Sequence, residues 1–288
     1  MALTLGSCSD NENGIGGETS KYITVSTSIG NMTRVATDAK GGQTFEEGDE
    51  ISVYAWTGDA TIAPDASERV VNNAINKLTN GSWISTPQML WKNNRDKHYF
   101  IGVYPTAAIS DLSAGEYTFD ANKQTESDLL VAVNPDGLSY SADAQQTVPL
   151  TFTHVMAKLA VNLTYKNQWG GIPTVEKVVV GNAAKEATIN YLTKVVTPST
   201  TAKEDFSLPE ITENTKYVSV IIPQEDVTQL TIVIGGKNFV YDNGTPFKFE
   251  SGKITTVNLE VGRDEIKLGD VKITNWEDGS TFKGEALN

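Results

Sequence analysis

Short runs of alternating apolar and polar residues, cut at close intervals by turn residues, recur along this chain and leave few folds open to it. Lys21–Ser28 is rich in β-branched residues and alternates. Ile51, Val53 and Ala55 alternate with Ser52, Tyr54 and Trp56, and Leu159, Val161, Leu163 and Tyr165 with Asn162 and Thr164. A period of two puts every second side chain on one face of a strand. Further strands are predicted over 175–180, 217–222, 230–234, 239–241, 247–249, 254–261 and 271–276. The breaks are Asn80-Gly81, Pro135-Asp136-Gly137, Gly235-Gly236, Asp242-Asn243-Gly244, Ser251-Gly252 and Asp278-Gly279, all short runs that turn a chain sharply. The expectation is an all-β fold of β-sandwich type with little helix. Asp65–Leu78 is the best helix candidate, because Val70, Val71, Ala74, Ile75 and Leu78 fall close to helical spacing; strand and loop is the other reading. No βαβ rhythm and no glycine-rich phosphate loop occurs, which argues against a nucleotide-binding fold. For 288 residues, two sandwich domains fit better than one. They are placed at 20–150 and 151–288, behind an N-terminal segment 1–19.

Charge and rare residues narrow the function. The net charge is −13, from 36 acidic and 23 basic residues, which opposes the counterion displacement that nucleic-acid binding needs and adsorption to an anionic membrane. No apolar run reaches the ~18 residues that span a bilayer. The single cysteine rules out an internal disulfide. With two histidines far apart, no zinc or iron–sulfur spacing exists. No cofactor, metal site or catalytic set is therefore expected, and the chain reads as a non-enzyme.

The cysteine lies in Leu5-Gly6-Ser7-Cys8, which resembles the lipobox of bacterial lipoproteins: an aliphatic residue, two small residues, then the cysteine that receives the lipid. Behind it, Ser9–Gly17 is polar, acidic and glycine-rich, the composition of a flexible tether. An acidic run in this place resembles the surface-export signal of Bacteroidetes lipoproteins. Only seven residues precede Cys8, without Lys or Arg, too few for a signal peptide. The expectation is that the sequence begins part-way through the signal and that Cys8 is lipidated. The plain alternative is a free cysteine in a disordered tail.

Five blocks then resemble one family. Thr33-Arg34 with Phe45-Glu46-Glu47-Gly48-Asp49-Glu50-Ile51-Ser52-Val53-Tyr54-Ala55 is similar to a "TR … F … GD-I-x-V-Y-A" block of the fimbrillin-like fimbrial subunits of Bacteroidetes. Trp91 with Tyr99–Pro105 resembles the next block, and Asp128-Leu129-Leu130-Val131-Ala132 the one after. Leu150-Thr151-Phe152-Thr153-His154-Val155-Met156-Ala157-Lys158-Leu159 resembles the most specific block, "L-x-F-x-H-x-x-A-K-L", and Trp276–Gly279 the terminal "W-x-x-G". The resemblance covers about 20 to 280. It implies two transthyretin-like β-sandwich domains in tandem, export as an outer-membrane lipoprotein anchored by its lipid alone, and a cell-surface role in adhesion. It also implies assembly with other fimbrial subunits, and a host or bacterial surface ligand. In shaft subunits of this family a trypsin-like protease cuts after an arginine that follows the first strand, and a strand of the next subunit fills the groove.

The residues fit that scheme on physical grounds. Tyr22–Ser28 is the removable strand and Arg34 the cleavage position, in the polar connection Asn31–Thr37 where proteolysis concentrates. Losing the strand bares backbone donors and acceptors over an apolar floor. Three or four inward side chains at ~1.5–3 kcal/mol each give the replacement roughly 5–10 kcal/mol of burial. Arg34 reads otherwise as an ordinary loop arginine.

His154 alternates with Phe152 and Met156 and has no acidic neighbour in sequence, so it is expected as a hydrogen-bonding core or interdomain residue rather than a catalytic base. His98, within the charged stretch Asn93–His98, is expected to face solvent. Glu46, Glu47, Asp49 and Glu50 read as a solvated turn, with calcium the weaker alternative. Asp10, Glu12 and Gly14 resemble half a calcium loop without its closing glutamate. Among five tryptophans, Trp91 and Trp276 read as core, and Trp169 is the candidate ligand-stacking aromatic. That residue supports the competing reading, a free-standing carbohydrate-binding surface lipoprotein that does not polymerise.

Overall fold

The computed structural model describes residues 21–30, 44–141 and 147–276. Strands of the first half are β1 (Thr24–Ile29), β2 (Glu50–Thr57), β3 (Val71–Thr79), β4 (Ser82–Thr86), β5 (His98–Tyr104), β6 (Gly115–Thr118), β7 (Leu130–Leu138) and β8 (Thr147–His154). The second half adds β9 (Ala157–Tyr165), β10 (Val175–Ala184), β11 (Glu186–Asn190), β12 (Val195–Pro198), β13 (Lys203–Ser207) and β14 (Glu210–Thr212). It ends with β15 (Lys216–Ile221), β16 (Gln224–Ile234), β17 (Lys237–Phe249), β18 (Lys253–Val261) and β19 (Ile266–Asn275). Among the described residues the only helical element is a 3-10 turn at Asn167–Trp169. The all-β expectation holds.

The largest sheet has seven strands in the order β1-β8-β7-β5-β2-β3-β4. It curls until its two edges approach: the Trp83 indole N–H on β4 donates to Thr27 Oγ1 on β1 at 3.0 Å. Inside the curl lie Ile23, Val25, Ile51, Val53, Phe100, Val148, Leu150 and Phe152. Tyr54, Trp56, Ile101 and Val103, on the opposite face, join the second and larger core. Burial on both faces explains why Ile51 through Trp56 are buried without a break. The second half stacks a four-stranded sheet, β13-β10-β16-β17, on a five-stranded one, β14-β15-β9-β18-β19. Their alternating Val178, Val180, Leu230 and Ile232 meet Leu159, Val161, Val257 and Leu259 in one core. A three-stranded sheet, β12-β11-β6, pairs a strand of the first half with two of the second. β8 runs through residues 150 and 151, where the sequence reading put the join, and the chain passes to β9 at Val155–Met156.

The helix expected over Asp65–Leu78 is instead a turn followed by β3. The cause is a β-bulge. Opposite β2 the register runs Val53–Ala74 and then Ala55–Val71, so β3 carries one extra residue. Asn73 accommodates it at φ +56°. Bulging puts Val71 and Ala74 on one face three residues apart, a spacing that imitates a helix.

Candidate functional site

β1 is the edge strand of the seven-stranded sheet and lies parallel on β8, from Thr24 opposite Thr147 to Ile29 opposite Phe152. At its start, the Ile23 N–H donates to the Met89 carbonyl (3.0 Å) and the Trp91 N–H to the Lys21 carbonyl (3.2 Å). At its end, the Gly30 N–H donates to the Phe152 carbonyl at 2.8 Å. Val25 and Ile23, the residue just ahead of β1, are buried in the core inside the curl, while Thr27 and Ile29 are half-buried, Ile29 packing against the same core. These are the three or four inward side chains expected; with two of them only half-buried, the burial is roughly 4–7 kcal/mol. The outward row is Thr24, Ser26 and Ser28; Ser28 and Thr151 share a hydroxyl hydrogen bond at 3.1 Å.

Between β1 and β4 runs a groove of about 620 Å³, walled by β1 on one side and by Leu78, Ser82 and Trp83 on the other. Phe45 closes one end, edge-on to Trp83, Tyr104 and Phe152 at 5.1–5.3 Å. The turn behind Phe45 sets it there. Gly48 has φ +96°, a conformation suited to glycine. Asp49 Oδ2 accepts the Glu46 N–H at 2.7 Å. Glu47 accepts the Asn80 N–H (2.8 Å) and Glu50 pairs with Lys77 (2.9 Å). These acids thus brace a turn, Glu46 through its backbone groups alone. Phe45 also borders a second cleft of about 390 Å³, with Tyr104, Asp49, Gln124, Asp128 and Lys158 on its walls. Burial, then the Asp49 carboxylate beside it, pushes the Tyr104 phenol up to about 12. Gln124 ties that cleft across the molecule by accepting the Val220 N–H at 2.7 Å.

The elbow between β8 and β9 is stapled by three residues of the specific sequence blocks. The His154 ring lies flat on Trp276, centroids 4.0 Å apart and planes 6° off parallel. The Lys158 ammonium sits over the Trp276 ring at 4.0 Å, an attraction of cation to aromatic face. His154 Nδ1 meets Asp128 Oδ1 at 2.8 Å. No acid lies beside His154 in sequence; the fold supplies one from 26 residues away. This ring is 7 % exposed and packs as part of the core.

His98 corrects the reading more sharply: it is fully buried. Its Nε2 accepts the Lys92 backbone N–H at 3.0 Å, so Nδ1 carries the proton and donates to the Asp96 carbonyl at 3.1 Å. Trp91 meets the ring edge-on at 5.0 Å. Burial pushes the imidazole pKa below its ordinary value. Trp91 and Trp276 are buried, as expected. Trp169 is half-buried against Phe239, and its indole N–H donates to the Val261 carbonyl at 3.0 Å. The Arg263 guanidinium lies 5.7 Å from its ring centroid. Cys8, the acidic tether with Asp10, Glu12 and Gly14, Arg34 and its connection, and Asp278-Gly279 all lie outside the described residues.

A comparison with curated proteins finds no match. Solved structures share the fold. One is a candidate cell adhesion protein of Bacteroides ovatus, with TM-score 0.68 and 17 % identity over 90 % of this chain and 99 % of that one. Another, from Bacteroides uniformis, has TM-score 0.66 and 19 % identity over 89 % of this chain and 100 % of that one. A fimbrial protein of Bacteroides vulgatus reaches TM-score 0.54 at 12 % identity, over 88 % of this chain and 99 % of that one. At these identities the likeness is one of fold. The fimbrillin-like family model matches residues 33–276, a stretch holding the second β1–β4 wall, Phe45 and the His154–Trp276 staple. The chain belongs to the fimbrillin-like family.

Proposed function

We propose that this protein is a subunit of a cell-surface fimbrium that exchanges strands with its neighbours and serves in adhesion. The observation that carries the reading is the pairing of a short edge strand with a deep apolar seat. β1, with Ile23 just ahead of it, contributes Ile23 and Val25 to a core that is otherwise complete, and it borders an open groove. A strand is replaceable where one ladder and a few side chains hold it. Family membership supports the reading, as do the fimbrial and adhesion proteins that share the fold. Arg34, four residues past Gly30, is the position for a trypsin-like cut that releases β1. β19 is the strand to offer: it is a sheet edge, it is the last described strand, and most of its side chains are exposed. Cys8 carries the lipid that brings the subunit to the outer membrane, with residues 9–19 as tether. The partners are other fimbrial subunits, and a host or bacterial ligand for the assembled fibre. The role is structural and adhesive rather than enzymatic.

Limited digestion with an arginine-specific protease, followed by N-terminal sequencing and sizing, tests this. The expected result is one cut after Arg34 and a ladder of oligomers, both lost in Arg34→Ala. A protein cut at Arg34 that stays monomeric would overturn strand exchange.

A further inference from the structure

We propose that the stack of His154, Trp276 and Lys158 is a latch that holds β19 on its own subunit while β1 is seated and loosens when β1 leaves. The inference rests on the strand-exchange reading and adds an order to it: an uncut subunit keeps its offered strand, and a cut one releases it.

Two sets of contacts define the latch. Trp276 ends the run of residues that follows β18, and its backbone N–H donates to the Gly252 carbonyl at 3.0 Å. Its indole fills the elbow between β8 and β9, with His154 on one side and Lys158 on the other. The rest of β19 is weakly seated. Gly269 lies at a register shift opposite β18, where Leu268 faces Leu259 and Asp270 faces Asn258. That shift returns Val271 and Ile273 to the row of Ile266 and Leu268, facing the core side with Val257 and Thr255. Even so, Val271 is 39 % and Ile273 37 % exposed. Trp276, at 3 % exposure, is the one deeply buried side chain in residues 266–276.

The second set reaches β1. His154 is the last residue of β8, and β1 is bonded to β8 as far as Phe152, two residues earlier. On its other edge this end of β8 is paired to β7 at Leu130–His154, Val131–Thr153 and Ala132–Phe152. With β1 gone, β8 becomes the sheet edge, and its end is held by three pairs and by the Val155 N–H on the Leu129 carbonyl. Local opening then costs less, and His154 lies within the stretch that opens. The Asp128 carboxylate that orients the ring lies just ahead of β7, so fraying there removes the ring's fixed plane. Trp276 loses one of its two walls, and the strand that it pins loses its anchor. Both sites bias one two-state element, the seated or unseated indole.

Hydrogen exchange of the full-length protein, read on peptides covering 266–276, tests the latch. Three samples are compared: the intact chain, the chain after arginine-specific digestion, and uncut Val25→Glu, which expels β1 by burying a charge in its seat. Peptides from β16 report that the second core stays folded in each. The expected result is exchange about ten-fold faster over 271–276 in the cut and Val25→Glu samples. Trp276→Phe, with β1 intact, should loosen the same peptides while leaving β1 protected. Oligomer ladders with unchanged β19 exchange in the remaining monomer would overturn the latch and leave strand exchange standing. Faster β19 exchange in Val25→Glu, with cut protein that never forms ladders, would support the latch and overturn strand exchange. If Val25→Glu does not fold, a Ser28→Cys/Thr151→Cys pair in a Cys8→Ser background locks β1 to β8. Cut protein must then keep β19 protected when oxidised and lose that protection on reduction. Equal exchange in both states would overturn the latch.

Discussion

β1 and β19 are both edge strands, and they are held in opposite ways. β1 is six residues long and, with Ile23 just ahead of it, contributes two buried aliphatic side chains to a core. β19 is ten residues long, runs antiparallel to β18 from Ile266 opposite Val261 to Asn275 opposite Lys253, and buries little until Trp276. Backbone hydrogen bonds can re-form with water or with another strand at small net cost, whereas an emptied apolar seat cannot be satisfied by water. Removing β1 leaves a defect that some strand must repair; lifting β19 leaves little behind. Under the proposed strand exchange, one edge is the seat to be filled and the other the strand to be given away.

The contrast can be broken by mutation. Trp276→Ala should cost the most, about 3–5 kcal/mol by chemical denaturation, because a large buried ring with two partners is lost. A loss under about 1 kcal/mol would mean that β19 hangs on its ladder alone. Ile23→Ala should cost about 2–4 kcal/mol, since this side chain is fully buried in its core. Gly102→Ala is expected at about 1–3 kcal/mol: an added Cβ would stand 2.6 Å from Phe152 Cζ, on a ring packed into the floor of the β1 seat. Acid should act on the same side of the molecule. His98 packs against Trp91, whose N–H holds the start of β1. Its folded pKa is depressed, so the unfolded chain binds the proton first, and stability falls as pH drops below about 6.5. His98→Gln should flatten that slope in denaturation curves at pH 7.5, 6.0 and 5.0, relative to the parent. The smallest effect is expected for Val271→Thr with Ile273→Thr, within about 0.5 kcal/mol for each change. A larger loss would erase the contrast between the edges.

Most strands could be read from the sequence because alternation survives wherever one face is buried. β9, β15 and β18 lie within a few residues of their expected bounds. The failures have physical causes. The bulge at Asn73 turned a strand pattern into a helical one. His98 was misplaced because its charged neighbours Arg95, Asp96 and Lys97 are exposed, while the ring itself opens β5 and points into the core. The Asp128–His154 pair joins residues 26 apart, a closeness that only the β7–β8 pairing creates. The family blocks around Asp128, His154, Lys158 and Trp276 marked where to look but not that the four side chains touch. The apolar seat of β1 could be foreseen; the groove between β1 and Trp83 could not, since nothing in the sequence says that the sheet curls.

The parallel pairing of β1 with β8 also sets when the subunit can finish folding. Thr24 meets Thr147 across 123 residues of chain, whereas the β18–β19 hairpin closes over Gly262–Glu265. That is about five doublings of loop length, and at ~0.6 kcal/mol each the longer closure costs about 3 kcal/mol more. Contacts so distant in sequence form late. β1 leaves the ribosome ahead of the other described strands and is the last of them to dock, so every newly made copy passes through a stage in which its seat stands empty. The proposed cut after Arg34 would return a mature subunit to a vacancy that it met once before, during its own synthesis.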